Sequence, residues 1–370
     1  MHILIIGAYP KSILSFRGPL IQSFLNSGHQ VTIMTADAPQ SIKSNLNQMG
    51  VNFIPFDISR NGLNPFSDIK TCWQLTKAIS KMRPDKILAY TIKPVIWGGI
   101  AARLNKINSF YAMITGLGFA FEKSNLVRSI INRLVKTLYK FSLQKSAGVI
   151  FQNEDNRQLF IDQGIVPQSL THRVYGSGID LDVFDFHPLP QGKTTFLLIA
   201  RLLGDKGIRE YVAAAKYVKQ CYADVCIQLL GPFDPSPDGI SPSELAQWQD
   251  DGLISYLGEQ KDVKPYLQNC HVYVLPSYHE GLPRTVLEAM ATGRPILTTN
   301  VCGCKDTVID NKNGVIVPAK NVQQLAEAML WFVENPNEWL QMGKASREFA
   351  EKYFDVRSVN TAIINIMFKS

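Results

Sequence analysis

The 370-residue sequence predicts an α/β protein of two domains, each built on a parallel sheet. Short apolar runs alternate with helical stretches along the chain, and the alternation starts afresh after a break near residue 175. The stretch PSYHEGLPRTVLEAMATGRPILTTN, residues 276–300, shows the repeating unit most clearly. VYVLPS (272–277) and PILTTN (295–300) are strand-like, Gly293 and Pro295 punctuate, and TVLEAMA between them is made of good helix formers. A strand, helix and strand of this length imply a parallel pair, with a loop at the carboxyl end of the first strand.

In the first half the strands are HILIIGA, QVTIMT, VNFIPF, KILAYT, SFYAMIT, GVIFQN and HRVYGS. Gly7 closes the first, and the GAYPKSILSFRGP that follows is not the Gly-x-Gly-x-x-Gly of a dinucleotide site. Phe16 and Arg17 are read as the start of the first helix, with Arg17 either an anion contact or a surface residue of the first turn. Tyr90, Thr91, Ile92 and Lys93 follow the fourth strand. Thr115, Gly116, Leu117 and Gly118 end the fifth, where glycine permits close backbone approach. The next segment, 121–148, is the best helix of this half. Leu126, Ile130, Leu134, Leu138 and Phe141 share one face at helical spacing, a face that either covers the sheet or meets a membrane. Arg133, Lys136 and Lys140 line a flank opposed nearby only by Glu122, a flank that is either solvated or turned to a membrane. An RNA surface would need interleaved aromatic platforms, which are missing.

The break is GSGIDLDVFDFHPLPQGK, rich in Gly, Asp and Pro and without periodicity. It divides the chain into domains 1–175 and 176–353, with a closing helix at 354–370. In the second half the strands are TTFLLIA, VCIQLLG, ISYLG, VYVLPS, PILTTN and GVIVP. After the first of these come Arg201 and Lys206-Gly207, two cations on a glycine-containing loop that can clamp a diphosphate. Glu280 lies in the loop after VYVLPS. A helix starting near Arg284 would leave the amides of Arg284, Thr285 and Val286 pointing out of its end, where phosphate is attracted. Glu288, four residues on, shares the face of Arg284 and can accept hydrogen bonds from ribose hydroxyls.

Composition narrows the class. A hydrophobic fraction of 46% and a mean hydropathy of -0.02 describe a soluble globular chain. No apolar run approaches the roughly 18 residues that a bilayer span needs, and the opening MHILIIGAYP reads as a strand rather than a signal peptide. The cysteines at 72, 221, 226, 270, 302 and 304 lack metal or disulfide spacing and are expected as free thiols. Residues 1–175 carry 20 Lys and Arg against 8 Asp and Glu, whereas 176–370 carry 18 against 23. The basic half fits nucleic acid or an anionic membrane as partner.

The residues EGLPRTVLE, preceded by PS and followed by AMATGRPI, resemble the Glu-x7-Glu motif of retaining nucleotide-sugar glycosyltransferases of family 4. Arg201 with Lys206-Gly207 resembles that family's Arg-x4-Lys-Gly, and YLGEQKDV (256–263) a segment whose backbone holds the base. The resemblance spans nearly the whole chain and is strongest over 195–318. It implies the GT-B fold, two Rossmann-like domains facing across a cleft, with the last helix crossing back to the first domain. It implies Arg201, Lys206 and Glu280 as catalytic residues, with Gly7, Val263, Gly281, Leu282, Pro283, Arg284, Thr285 and Glu288 binding the nucleotide sugar. The acceptor would meet Arg17, Lys93, Thr115 and Gly116, since YTIKP resembles relatives that act on lipid-linked sugars. The family's usual histidine near Thr91 is absent. The expected reaction moves a sugar from a UDP-sugar to a polyprenyl-diphosphate-linked saccharide in bacterial surface glycan assembly. No metal or other cofactor is expected, because the chain is read as lacking Asp-x-Asp and because cations fill the clamp. Expected partners are the nucleotide sugar, the lipid-linked saccharide and an anionic membrane surface met through Arg133, Lys136 and Lys140, with no nucleic acid. The expected location is cytoplasmic, peripheral on the inner face of the plasma membrane. A GT-B epimerase of nucleotide sugars and a non-catalytic glycolipid-binding module are the rival readings.

Overall fold

The computed structural model describes residues 1–58, 64–116 and 126–368. The chain forms two compact units, Met1–Ser177 with Arg357–Ser370, and Gly178–Val356. These boundaries fall two or three residues beyond the 175/176 and 353/354 expected from sequence.

The first unit is a seven-stranded sheet: β1 (His2–Ile6), β2 (Gln30–Thr35), β3 (Asn52–Pro55), β4 (Lys86–Tyr90), β5 (Phe110–Ile114), β6 (Gly148–Phe151) and β7 (Thr171–Arg173). All pairings are parallel, in the order β3-β2-β1-β4-β5-β6-β7. The strands are near-continuous apolar runs because helices cover both faces. On one face lie α1 (Pro10–Asn26) and α2 (Gln40–Gln48), which bury Ile13, Leu20, Phe24, Ile42 and Leu46. On the other, α3 (Pro65–Met82), α4 (Ile92–Leu104) and α5 (Leu126–Leu143) bury Leu75, Ile79, Val95, Ile96, Val135, Tyr139 and Leu143. α6 (Glu154–Asp162) leads into β7 and adds Phe160 to that same core.

Two expectations fail here. Arg17 does not start the first helix. Pro10 does, its fixed φ suiting the first helical position, so Arg17 lies two turns in and is 2% exposed. The α5 stripe also fails as a cover for the sheet: Leu138 packs against the core, but its neighbours on the stripe turn outward. Ile130, Leu134 and Phe141 are exposed at 70%, 53% and 47%, and the sheet is covered instead by the face bearing Asn132, Val135, Tyr139 and Leu143. Leu117, Gly118, Glu122 and the side chain of Leu126 lie outside what the structure describes.

The second unit is a six-stranded sheet of β8 (Thr195–Ile199), β9 (Cys226–Leu230), β10 (Ser255–Tyr256), β11 (Val272–Leu275), β12 (Ile296–Thr299) and β13 (Gly314–Val317). Its order is β10-β9-β8-β11-β12-β13, again all parallel. The helices are α7 (Ile208–Cys221), α8 (Pro242–Asp250), α9 (Lys264–Gln268), α10 (Arg284–Ala291), α11 (Val322–Glu334) and α12 (Glu338–Tyr353). α8 is set by a full capping box, Ser241 with Glu244, and α11 by the Asn321 side chain on the Gln324 amide. From Arg357 onward α13 (Val356–Phe368) belongs to the first unit, where Val359, Ile363 and Met367 pack beside α1 and the Tyr111 hydroxyl donates to the Met367 carbonyl. In each sheet the strand order reverses beside the first strand, between β1 and β4 and between β8 and β11. Crevices for ligands open at the carboxyl ends of strands at such points.

Candidate functional site

At the β8/β11 reversal the loop after β8 and the loop after β11 are stitched into one wall. The Tyr278 amide and the Ser277 hydroxyl both donate to the Asp205 carbonyl, at 2.8 and 3.1 Å. Two glycines allow this closeness. Gly207 has φ +70, and a Cβ there would lie 2.0 Å from the Pro276 carbonyl oxygen. Gly303, at φ +80, would bring a Cβ to 2.6 Å from the Glu280 carbonyl. Neither position tolerates a side chain, on backbone strain and on space alike.

The wall brings together the charged residues singled out from sequence. Lys206 Nζ donates to Glu280 Oε1 at 2.8 Å and lies 4.0 Å from Asp205. Ser277 Oγ lies 3.0 Å from the same Glu280 oxygen, so its one proton is shared between that carboxylate and the Asp205 carbonyl. Burial works to lower the Lys206 pKa, but the charges of Glu280 and Asp205 outweigh it and the net shift is upward, so the lysine is a firm cation. Burial raises the Asp205 carboxyl, with Glu280 and Asp238 adding and Lys206 and Arg201 opposing. Arg201 turns to Asp234, its Nη1 2.5 Å from Oδ2. Asp234 also accepts from the Ser236 amide and hydroxyl; these bonds and Arg201 hold its pKa below the usual value although burial pushes the other way.

α10 begins at Arg284 as expected, with Pro283 buried at its N-cap and Gly281 and Leu282 half-buried before it. One detail of the sequence reading is corrected. The Val286 amide is taken by the Pro283 carbonyl at 3.1 Å, because the first turn tightens. Arg284 and Thr285 are left as the amides at the helix end. Glu288 is 7% exposed, accepts from Arg284 Nε at 3.0 Å, and has its pKa raised by burial against the pull of Arg284. Val263 caps α9, and the Tyr256 hydroxyl donates to the Gly231 carbonyl at 2.7 Å.

Two cations at strand ends, a helix end aimed outward and two carboxylates make a pocket edge for a polyanion that also carries hydroxyls. Comparison with known proteins gives this geometry its context. Residues 6–153 match the family model "Glycosyl transferase 4-like", and residues 182–349 match "Glycosyl transferases group 1". The N,N'-diacetylbacillosaminyl-diphospho-undecaprenol alpha-1,3-N-acetylgalactosaminyltransferase of Campylobacter jejuni is 30% identical over 359 residues, covering 92% of each chain. The chain is a group 1 glycosyltransferase. The UDP-Gal:alpha-D-GlcNAc-diphosphoundecaprenol alpha-1,3-galactosyltransferase of Escherichia coli is 26% identical over 75% of this chain and 73% of its own. Among solved structures, the Anabaena protein HepE in complex with UDP superposes with a TM-score of 0.80 at 17% identity, covering 100% of both chains. Sucrose-phosphate synthase from Thermosynechococcus elongatus does so at 0.80 and 18%, covering 100% of this chain and 98% of that one. The fold is therefore GT-B.

In this glycosyltransferase the remaining predicted residues belong to the first unit. Gly7 is glycine because a Cβ would meet the Tyr90 hydroxyl at 2.5 Å, so its missing side chain is used for packing against that phenol. Arg17 Cζ lies 5.0 Å from the Tyr90 ring centroid and Nη1 donates to Ser177 Oγ at 3.2 Å. Thr91, where the family usually has its histidine nearby, sits at φ +69 with its hydroxyl oxygen buried and making no hydrogen bond. That is a strained conformation for a β-branched residue. Lys93 is not a surface lysine: it pairs with Asp68 at 2.8 Å with both side chains 12% exposed. Thr115 and Gly116 follow β5, half-buried. Arg133 and Lys140 are exposed and Lys136 half-buried on α5.

Sequence reasoning missed Asp234, Asp205 and Ser277. Asp234 stands in the turn-rich GPFDPSPD, a visible Asx-turn signal, but nothing local ties it to Arg201. Asp180-Leu-Asp182 is an Asp-x-Asp, which corrects the reading that the chain lacks one. Asp180 Oδ1 accepts from the amides of Asp182 and Val183 at 3.0 and 3.1 Å, an Asx turn in the connecting segment.

Proposed function

We propose that this glycosyltransferase moves a sugar, an N-acetylhexosamine or a hexose, from a UDP-sugar to a polyprenyl-diphosphate-linked saccharide, with retention of anomeric configuration, in bacterial surface glycan assembly. The observation that carries the reading is the convergence of Lys206, Arg201 and the α10 end beside Glu280 at one strand-order reversal. Both relatives named above act, by their names, on undecaprenyl-diphosphate-linked sugars. Negative charge grows on the departing diphosphate as the bond from the anomeric carbon to the β-phosphate oxygen breaks. Lys206, Arg201 and the α10 amides stabilise it through preorganised charge. The acceptor hydroxyl oxygen bonds the same carbon on the same face, and its proton passes to the leaving phosphate oxygen, so no protein nucleophile is needed. Glu280 holds hydroxyls of the donor sugar, Glu288 those of the ribose, and the Val263 segment the base. Cations already occupy the clamp, which supports a reaction without a metal. Arg17, Lys93, Thr115 and Gly116 lie at strand ends of the basic unit, where a diphosphate-linked acceptor would be met.

The acceptor's tail stays in a bilayer, so we place the enzyme peripherally on the inner face of the plasma membrane. The outward stripe of α5 supports this, with Ile130, Leu134 and Phe141 exposed beside Arg133 and Lys140. The deciding experiment incubates the protein with a panel of UDP-sugars and a short-chain polyprenyl-diphosphate saccharide, and reads product mass and anomeric coupling by NMR. An α-linked product from an α-donor supports the reading. A β-linked product, or none with any UDP-sugar, overturns it.

A further inference from the structure

We propose that α3 is a second membrane anchor, and that α3 and α5 together form a two-ridged docking plate for an anionic bilayer. This extends the membrane reading above from one helix to a surface. Phe66, Ile69 and Trp73 are exposed at 86%, 63% and 61%. They fall at successive helical turns, so they form one outward stripe. α3 was not singled out from the sequence, because its buried stripe of Asp68, Thr71, Leu75 and Ile79 accounts for its periodicity.

α4 packs between α3 and α5. Its own outer line continues the surface, with Trp97 and Ile100 half-buried and Leu104 exposed at 64%. The three helix sequences together hold nine Lys and Arg and one Asp. Lys93 is buried in its pair with that Asp, Asp68, and Lys70 pairs with Asp57, which leaves seven cations for the surface. Lys77 Nζ sits 5.3 Å from the Trp73 ring centroid, and Arg103 Cζ 4.4 Å from that of Phe141. Cations over exposed rings are suited to the headgroup level, where the ring is half immersed and the charge stays wet.

Placement agrees with charge. α3 and α5 follow β3 and β5, so their first turns stand at the carboxyl edge of the parallel sheet. Phe66, Ile69 and Trp73 lie in the first turns of α3, and Ile130 and Leu134 in those of α5. The apolar ends of both ridges therefore lie at the strand-end edge that holds Gly7, Thr91 and Thr115. A second copy of the chain is a poor occupant, because a two-fold contact would set these cations against their equivalents. An anionic lipid surface meets both the charge and the apolar stripe.

The test compares the full-length parent, Phe66→Ser/Ile69→Ser/Trp73→Ser, and Arg133→Glu/Lys136→Glu/Lys140→Glu for flotation with vesicles of phosphatidylglycerol and phosphatidylcholine. Trp73 fluorescence is read in vesicles carrying brominated acyl chains, with Trp73→Phe as the control. The α3 variant is expected to bind vesicles at least about tenfold more weakly, since an interfacial helix binds through its buried apolar area. UDP affinity and thermal unfolding should match the parent, and brominated lipid should quench the parent more strongly than Trp73→Phe, in which Trp97 remains on the same surface. If the α3 variant floats like the parent while the α5 reversal does not, the plate fails and the single-helix reading stands. If the parent floats with neither variant impaired, both fail. Concentration-dependent self-association of the parent that the α3 variant abolishes, without vesicle binding, assigns the stripe to protein contact and overturns the proposal.

Discussion

Replacing Lys206 by Met separates the two tasks that its position combines. Its ammonium lies 2.8 Å from Glu280 and 4.0 Å from Asp205, and the three side chains are 14%, 19% and 31% exposed. Without it two half-buried carboxylates face each other with Ser277 as the hydrogen-bond donor to Glu280. Breaking a fully buried pair costs about 3–5 kcal/mol. Partial exposure here screens the charges, and about 1–2 kcal/mol is the expected loss of stability. The same change removes a charge-assisted contact to the nucleotide's diphosphate, about 1.5–3 kcal/mol, or roughly 10- to 150-fold in affinity for UDP. Adding Glu280→Gln removes the orphaned charge and should restore most of the stability, but none of the affinity. Thermal unfolding and titration calorimetry with UDP on parent, single and double variants read the two effects apart. If Lys206→Met binds UDP as the parent does, or if the double variant recovers affinity along with stability, the lysine is a structural counter-ion and the clamp is elsewhere.

Other outcomes follow from the same geometry. Glu288→Gln should weaken UDP binding yet raise the melting temperature by about 2–4 °C, because burial of the charge costs stability, and about 1 kcal/mol shifts a domain of this size by that amount. The sign in pH follows: burial lifts the folded Glu288 pKa above its ordinary 4.5, so stability from this group is complete below 4.5 and lost as pH rises through the folded value. Unfolding midpoints measured across that window should therefore converge for parent and variant at the acid end, and parallel curves would refute the assignment. Glu280→Gln alone should depress sugar transfer far more than UDP affinity, as measured by single-turnover product formation beside calorimetry; equal losses would remove it from the sugar. Gly207→Ala should cost about 1–2 kcal/mol from left-handed strain alone and more from the Pro276 clash, read as a lowered melting temperature with transfer abolished. Reversing Arg133, Lys136 and Lys140 to Glu should abolish binding to anionic vesicles in sedimentation while sparing UDP binding.

All thirteen strands were legible because strands buried on both faces read as uninterrupted apolar runs. That Arg201, Lys206, Glu280 and Glu288 gather at the β8/β11 reversal was legible too, since each sits at a fixed offset from such a run. What was hidden depended on contacts between distant segments. Arg201 and Asp234 lie 33 residues apart and meet because β8 and β9 are neighbours. On α5 two apolar stripes overlap, and periodicity alone gave no reason to prefer the one that carries Asn132 to the core. Arg17 was misplaced for a simpler reason: an arginine is expected outside, and the helix-starting signal of Pro10 was passed over.

The pairing of Lys206 with Glu280, Arg201 with Asp234 and Arg284 with Glu288 has a consequence for turnover. If the donor diphosphate binds here as proposed, it displaces resident carboxylates, so part of its attraction is consumed in separating pairs that already exist. The same carboxylates remain beside the product and compete to recover their partners once the sugar has gone. Such a cleft binds its nucleotide less tightly than bare cations would, and in exchange it empties faster.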